Sequence, residues 1–137
     1  MSRYLVDKSA LARMTSEPVR VRLAPLIQSG AIATCSIVDL EVLYSARDHE
    51  EHERIRVRRL LAYEQIPLTQ QIFDRAVEVQ GALARTGHHR LPIPDLIVAA
   101  AAESADRIVL HYDADFDRIA AVTGQPVEWV VPRGTAH

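Results

Sequence analysis

The sequence predicts a three-layer α/β/α domain around a mainly parallel sheet, and three observations predict it. Short apolar runs alternate with helix-length segments along the whole chain, the pattern that builds parallel sheets. A length of 137 residues suits a single domain. A composition 48% hydrophobic and 25% charged is that of a globular protein with a real core. The domain is expected to span residues 1–131, leaving residues 132–137 as a disordered tail.

Tyr4-Leu-Val6 is the first strand, and Asp7 ends it. Ser9 to Met14 can start a helix, and a second runs from Glu17 to Ser29, with Pro18 at its start, Pro25 as an expected kink and Gly30 at its end. Ala31 to Cys35 is the second strand. Ser36 stands where it would cap the next helix, with Asp39 as a weak capping box, and Val38, Glu41, Val42 and Ser45 follow at helical spacing. The charged segment Arg47 to Arg59 leads through a helix to Tyr63, and Ile66-Pro67-Leu68 is read as a short strand. Thr69 caps a helix in which Ile72, Ala76, Val79 and Leu83 make one apolar stripe, and Gly87 stops it.

Arg90-Leu-Pro-Ile-Pro94 is a loop that opens into a very apolar helix, with Pro94 in its first turn, where a missing N–H costs nothing. Asp95 then meets free backbone N–H groups and the positive end of the helix dipole. Leu96 to Ala102 are apolar on every side, so this helix should be buried. Arg107 to His111 is a strand, Phe116 to Thr123 a last helix stopped by Gly124, and Val127 to Val131 alternates like an edge strand.

Composition excludes several classes. Formal net charge is −2, so no global basic field marks a nucleic-acid binder, but this argues only weakly against such a partner because local patches matter more than the sum; only Lys8 among the 16 basic residues is lysine. Cys35 is alone, which removes an internal disulfide and a cysteine-based zinc site and leaves it as a small buried hydrophobe. No targeting pattern opens the sequence and no run approaches the ~20 apolar residues of a membrane span, so a cytoplasmic protein with no membrane partner is expected.

The acids carry the chemistry. Ligands of open parallel sheets bind beyond the carboxyl ends of the strands. Asp7 lies just past the first strand, Asp113 and Asp115 follow the strand at His111, and Asp95 heads a helix. Glu41 lies in a helix that begins just past the second strand; Asp39 points roughly 200° away from it at ~100° per residue and is left as a cap. Carboxylates converging on one point raise each other's pKa unless a cation joins them. All-oxygen ligands select Mg²⁺ or Mn²⁺, which turns water into a nucleophile and clamps a phosphate oxygen. Metal-assisted phosphodiester hydrolysis is the expected reaction.

Four segments in order resemble a known family: Asp7-Lys-Ser9-Ala-Leu, Ser36 with Glu41, Pro94-Asp95-Leu-Ile-Val-Ala-Ala, and His111-Tyr-Asp113-Ala-Asp115-Phe116. They are similar to a PIN domain, and their order and spacing resemble the VapC toxins of bacterial toxin–antitoxin pairs over nearly the whole chain. The resemblance implies a PIN-like fold and a Mg²⁺- or Mn²⁺-dependent endoribonuclease that is a homodimer, silenced by a VapB-type antitoxin and linked to DNA only through it. It implies Asp7, Asp95 and Asp113 as metal ligands, Glu41 and Asp113 positioning or activating the attacking water, and Asp115 and Ser9 supporting the centre. Asp115 also reads as a turn residue and Ser9 as a helix cap. His111 departs from the threonine or serine frequent at its position.

His88, His89 and Arg90, near Asp95 in sequence, are the candidates for RNA contact. The arginines between Arg54 and Arg59 read as a solvated face or inter-subunit salt bridges, and Tyr112 as core packing. A phosphoacceptor signalling domain is disfavoured, because Lys8 rather than an acid follows Asp7 and no lysine occurs later. A nuclease-like dimer acting mainly within a DNA-binding repressor complex is the alternative.

Overall fold

The computed structural model describes residues 2–137. Its sheet contains β1 (Tyr4–Val6), β2 (Ile32–Thr34), β3 (Glu64–Gln65), β4 (Ile108–His111) and β5 (Val127–Trp129). The strand order is β3-β2-β1-β4-β5, and every neighbouring pair is parallel. Among the described residues the helices are α1 (Lys8–Leu11), α2 (Glu17–Gln28), α3 (Ser36–Leu43), α4 (His49–Ala62), α5 (Gln70–Ala84), α6 (Ile93–Ser104) and α7 (Asp115–Thr123). None is long and apolar enough to cross a membrane.

The alternation of side chains along each strand divides the core into two layers. Leu5, Ala33 and Val109 face the stripe of α5, the apolar length of α6, and Phe116 and Ile119 of α7. Tyr4, Val6, Ile32 and Leu110 face the other way, onto Ala10, Val19 and Leu23 of α1 and α2. Strands covered on both faces need near-continuous hydrophobicity, as these three-residue runs supply. The eight residues Asp95 to Ala102 are all buried, as an all-apolar helix requires. Burying each large aliphatic side chain contributes about 1.5–3 kcal/mol.

Helix ends follow local chemistry. Thr69 accepts the N–H of Ile72 and caps α5. Gly124 ends α7 at φ 73°, a left-handed position that favours glycine. Pro25 sits inside α2, which continues through it to Gln28.

Four local expectations are corrected. The strand beside β2 is Glu64 and Gln65, which are exposed, rather than Ile66 to Leu68, of which Ile66 adds only an N–H bond to the Thr34 carbonyl at 2.9 Å; backbone pairing rather than apolar content defines that edge. Cys35, not Ser36, holds the N-cap position of α3, without a side-chain bond. Asp39 is not a cap: its carboxylate accepts Arg59 Nε at 2.8 Å and Gln65 Nε2 at 2.8 Å. Arg59 is therefore buried rather than solvated, whereas Arg54 and Arg56 pair along α4 with Glu50, Glu51 and Glu53 as an exposed face.

Candidate active site

The chain runs from β1 to β2 and β3 on one side, and the later β4 and β5 lie on the other, so the direction of strand order changes at β1. Loops leaving β1 and β4 diverge there and open a crevice. Asp7 is the first residue beyond β1, fixed by its N–H bond to the Leu110 carbonyl at 2.9 Å. Its Oδ2 accepts the Ser9 N–H at 2.9 Å and so caps α1. Beyond β4, Asp113 Oδ1 accepts the Asp115 N–H at 2.9 Å, while the Asp113 N–H donates to His111 Nδ1 at 3.1 Å. Asp95 enters from the first turn of α6 and Glu41 from α3. Asp7, Glu41, Asp95 and Asp113 line one cleft of about 820 Å³.

These acids act on one another. Asp95 has its pKa raised to about 8, first by burial and then by Asp7, Asp113, Asp115 and Glu41. Five carboxylates thus share one field. Burial raises Asp7, opposed by the Ser9 hydroxyl and N–H and reinforced by Asp113. Burial and Asp7 raise Glu41, with Lys8 opposing. Burial and Asp113 raise Asp115, with Arg118 opposing.

Carboxylate oxygens of Asp95, Asp113 and Asp115 lie within 4.8 Å of one another. Asp7 Oδ1, Glu41 Oε1 and Asp95 Oδ2 are buried and have no hydrogen-bond partner. Among the described residues no arginine or lysine forms an ion pair with Asp7, Glu41, Asp95 or Asp113. Buried acceptors left bare in this way cost free energy unless a cation or protons satisfy them. An all-carboxylate set fits Mg²⁺ or Mn²⁺ rather than a sulfur- and imidazole-seeking metal.

Asp115, expected only as support or a turn residue, brings its carboxylate into the same group as Asp95 and Asp113. Ser9 does not cap α1; its Oγ accepts the Tyr112 N–H at 2.9 Å and ties that helix to the end of β4. His88, His89 and Arg90 are exposed and do not line the cleft. His111 is fully buried between Phe116 and Trp129, with ring centroids 5.0 Å from each, and burial lowers its pKa.

Sequence reasoning missed the three cations of the cleft wall, Lys8, Arg13 and Arg133, together with Trp129. Arg13 follows Asp7 closely in the chain, a signal of the same kind as that used for Arg90 and Asp95. Arg133 comes from the far end of the chain and carried no such signal.

The PIN domain family matches residues 4–122. Ribonuclease VapC21 of Mycobacterium tuberculosis is 50% identical over 136 residues, covering 98% of this chain and 99% of the relative. Among solved structures, DNA-bound VapBC from Salmonella typhimurium matches with a TM-score of 0.74 at 20% identity, covering 96% of this chain and 100% of that one. A toxin–antitoxin complex from Klebsiella pneumoniae matches with a TM-score of 0.71 at 20% identity, covering 93% and 98%. At such identities these two structures share the fold with this chain.

Proposed function

This chain belongs to the PIN-domain family as a close homologue of the VapC ribonucleases, and on that premise we propose that it is a Mg²⁺- or Mn²⁺-dependent endoribonuclease toxin. The observation that carries the reading is geometric: carboxylate oxygens of Asp95, Asp113 and Asp115 lie within 4.8 Å of one another, and Asp7 Oδ1, Glu41 Oε1 and Asp95 Oδ2 are buried without a partner. Asp7, Asp95 and Asp113 would hold the metal ion, with Asp115 completing the group. When bound, the ion polarises a phosphate oxygen and makes a coordinated water nucleophilic. Glu41 Oε1, buried and without a partner, would accept the proton of the attacking water. Ser9 keeps Asp7 facing the cleft by donating its N–H, and the Asp113–Asp115 turn holds two carboxylates against Asp95.

The toxin reading includes a VapB-type antitoxin and a second copy of this chain as partners. Exposed Leu40 of α3 shares one groove with Leu60 of α4 and another with Tyr44 and Glu41, an apolar surface suited to an antitoxin segment. Phe73, Val77 and Ile93 on α5 and α6 expose a second such face, suited to self-association. DNA contact would come only through the antitoxin.

The test is purified, antitoxin-free protein with labelled cellular RNA and Mn²⁺. Cleavage that stops with EDTA and in Asp95→Asn is expected. RNA left intact across transfer, ribosomal and messenger pools would overturn the nuclease reading in favour of a binding role.

A further inference from the structure

Four acids line the cleft and Asp115 lies against them, so an RNA strand approaching it meets a negative field that a bound divalent ion only partly cancels. Substrate binding therefore needs cations on the wall that the acids do not consume. Arg22, Arg59, Arg75 and Arg107 each have a carboxylate within 3.0 Å and are committed to structure. Lys8 also lines the cleft, but its charge is set against Glu41, whereas Arg13 and Arg133 are exposed, line the cleft, and form no ion pair among the described residues. Each is held instead on an aromatic face: Arg13 lies over Tyr112 at 4.4 Å, and Arg133 over Trp129 at 5.8 Å. The two rings meet edge to face at 5.3 Å.

Tyr112 links both cations. Its ring carries Arg13, while its hydroxyl accepts the N–H of Gly134 at 2.7 Å and of Ala136 at 3.4 Å, which anchors the segment bearing Arg133. Trp129 is itself fixed by its indole N–H bond to Asp117 at 3.1 Å. The end of β5 is clamped by Arg22, whose guanidinium donates to the Trp129 and Val130 carbonyls at 3.0 and 3.1 Å. The guanidiniums thus stand on fixed supports, which reduces the entropy lost when they bind a ligand.

We propose that Arg13 and Arg133 are the phosphate-binding pair of this cleft, holding the RNA backbone along the Tyr112–Trp129 wall beside the acids, with Tyr112 as the pivot that positions both. The proposal rests on the ribonuclease reading and assigns its substrate-binding residues. Neither arginine enters the reaction, so their loss weakens binding more than turnover.

The experiment measures binding of fluorescein-labelled, mixed-sequence single-stranded RNA across a salt series, with Ca²⁺ replacing Mn²⁺ to suppress cleavage. Arg13→Ala and Arg133→Ala are each expected to weaken binding about tenfold and to reduce the salt slope by about 0.7, the value for one lost phosphate contact on a single strand. Arg58→Ala, an exposed and unpaired arginine of α4, serves as the control and keeps the wild-type slope. Tyr112→Phe keeps the ring under Arg13 and frees the Arg133 segment. It should therefore reproduce the Arg133→Ala effect and add nothing to it in the double variant. With cleavable RNA and Mn²⁺, KM should rise while kcat moves much less. An unchanged slope in Arg13→Ala/Arg133→Ala, in protein that still cleaves RNA, overturns this assignment alone; additivity of Tyr112→Phe with Arg133→Ala overturns the pivot. Wild-type protein that cleaves no RNA overturns the underlying activity instead.

Discussion

Asp39 and Glu41 stand two residues apart on α3 and differ in almost everything that matters to an acid. Asp39 faces α4, accepts Arg59 and Gln65, and is neutralised by a guanidinium whose side chain is only 7% exposed. Glu41 faces the cleft, keeps a buried oxygen without a partner, and is raised by burial and by Asp7. The same contrast extends through the molecule. Glu64, Glu103 and Glu128 each meet an arginine, whereas Asp7, Asp95 and Asp113 meet mainly one another. A folded chain that pairs its acids with arginine elsewhere and leaves Asp7, Glu41, Asp95 and Asp113 without an ion pair among the described residues presents there an arrangement that a cation would satisfy.

The strongest way to break this comparison is to neutralise one acid from each group. Asp95→Asn should lower metal-dependent cleavage on the order of a thousandfold, since direct ion contacts supply several kcal/mol to the transition state. It should raise the melting temperature of metal-free protein by relieving repulsion. Asp7→Asn should behave likewise, because asparagine also serves as an N-cap for α1. If the melt falls steeply instead, these acids are structural and the contrast fails.

Asp39→Ala should give the opposite pattern. Removing one partner of a largely buried pair leaves Arg59 uncompensated and costs about 3 kcal/mol, a fall of about 10 °C in melting temperature. Metal-dependent cleavage by the remaining folded protein should persist. Loss of Mn²⁺ binding without loss of stability would move Asp39 into the centre.

A pH series sharpens the comparison. The Asp95 carboxyl has a folded-state pKa of about 8, above its unfolded value of 3.8. Between those values the native state holds a proton that the unfolded state lacks, so metal-free stability falls as pH rises. Asp7, Glu41 and Asp115 are raised and act in the same sense. His111 is lowered from 6.5 and acts oppositely below that value, leaving pH 6.5 to 8 as the clean window. Metal-free protein should lose a few degrees of melting temperature across it, and Asp95→Asn should lose less. Saturating Mn²⁺ should reverse the trend, because ligand binding competes with protons.

What the sequence made legible follows from the range of each interaction. The acids at strand ends and in the first turn of α6 are local features, and the helical phase that separates Glu41 from Asp39 is local too. All four predicted catalytic acids consequently lie on one cleft. The partner of Asp39 was not legible, because Arg59 arrives from another helix. Arg133 was hidden for the same reason, arriving on a tail expected to be disordered. β3 escaped because exposed Glu64 and Gln65 carry no apolar alternation, and only pairing with Ala33 and Thr34 makes them a strand.

The smallest effect concerns His111, where the family pattern often has a hydroxyl. Its ring does not reach into the cleft; it is fully buried, and its Nδ1 accepts the Asp113 N–H. The proton of the neutral ring therefore sits on Nε2, which is buried without a partner. If His111 contributes through that acceptor, the position of the acceptor should matter more than the imidazole. Asparagine offers an oxygen near the place of Nδ1, whereas glutamine offers one near Nε2. His111→Asn should keep Mn²⁺ affinity within about threefold, while His111→Gln and His111→Leu should lose about tenfold, the lower end of the range for outer partners of metal ligands. Mn²⁺ titration is the right readout, since Asn leaves a cavity between Phe116 and Trp129 and lowers stability whatever it does for Asp113. Equal losses in all three variants would reduce His111 to packing and leave the Asp113–Asp115 turn to hold itself.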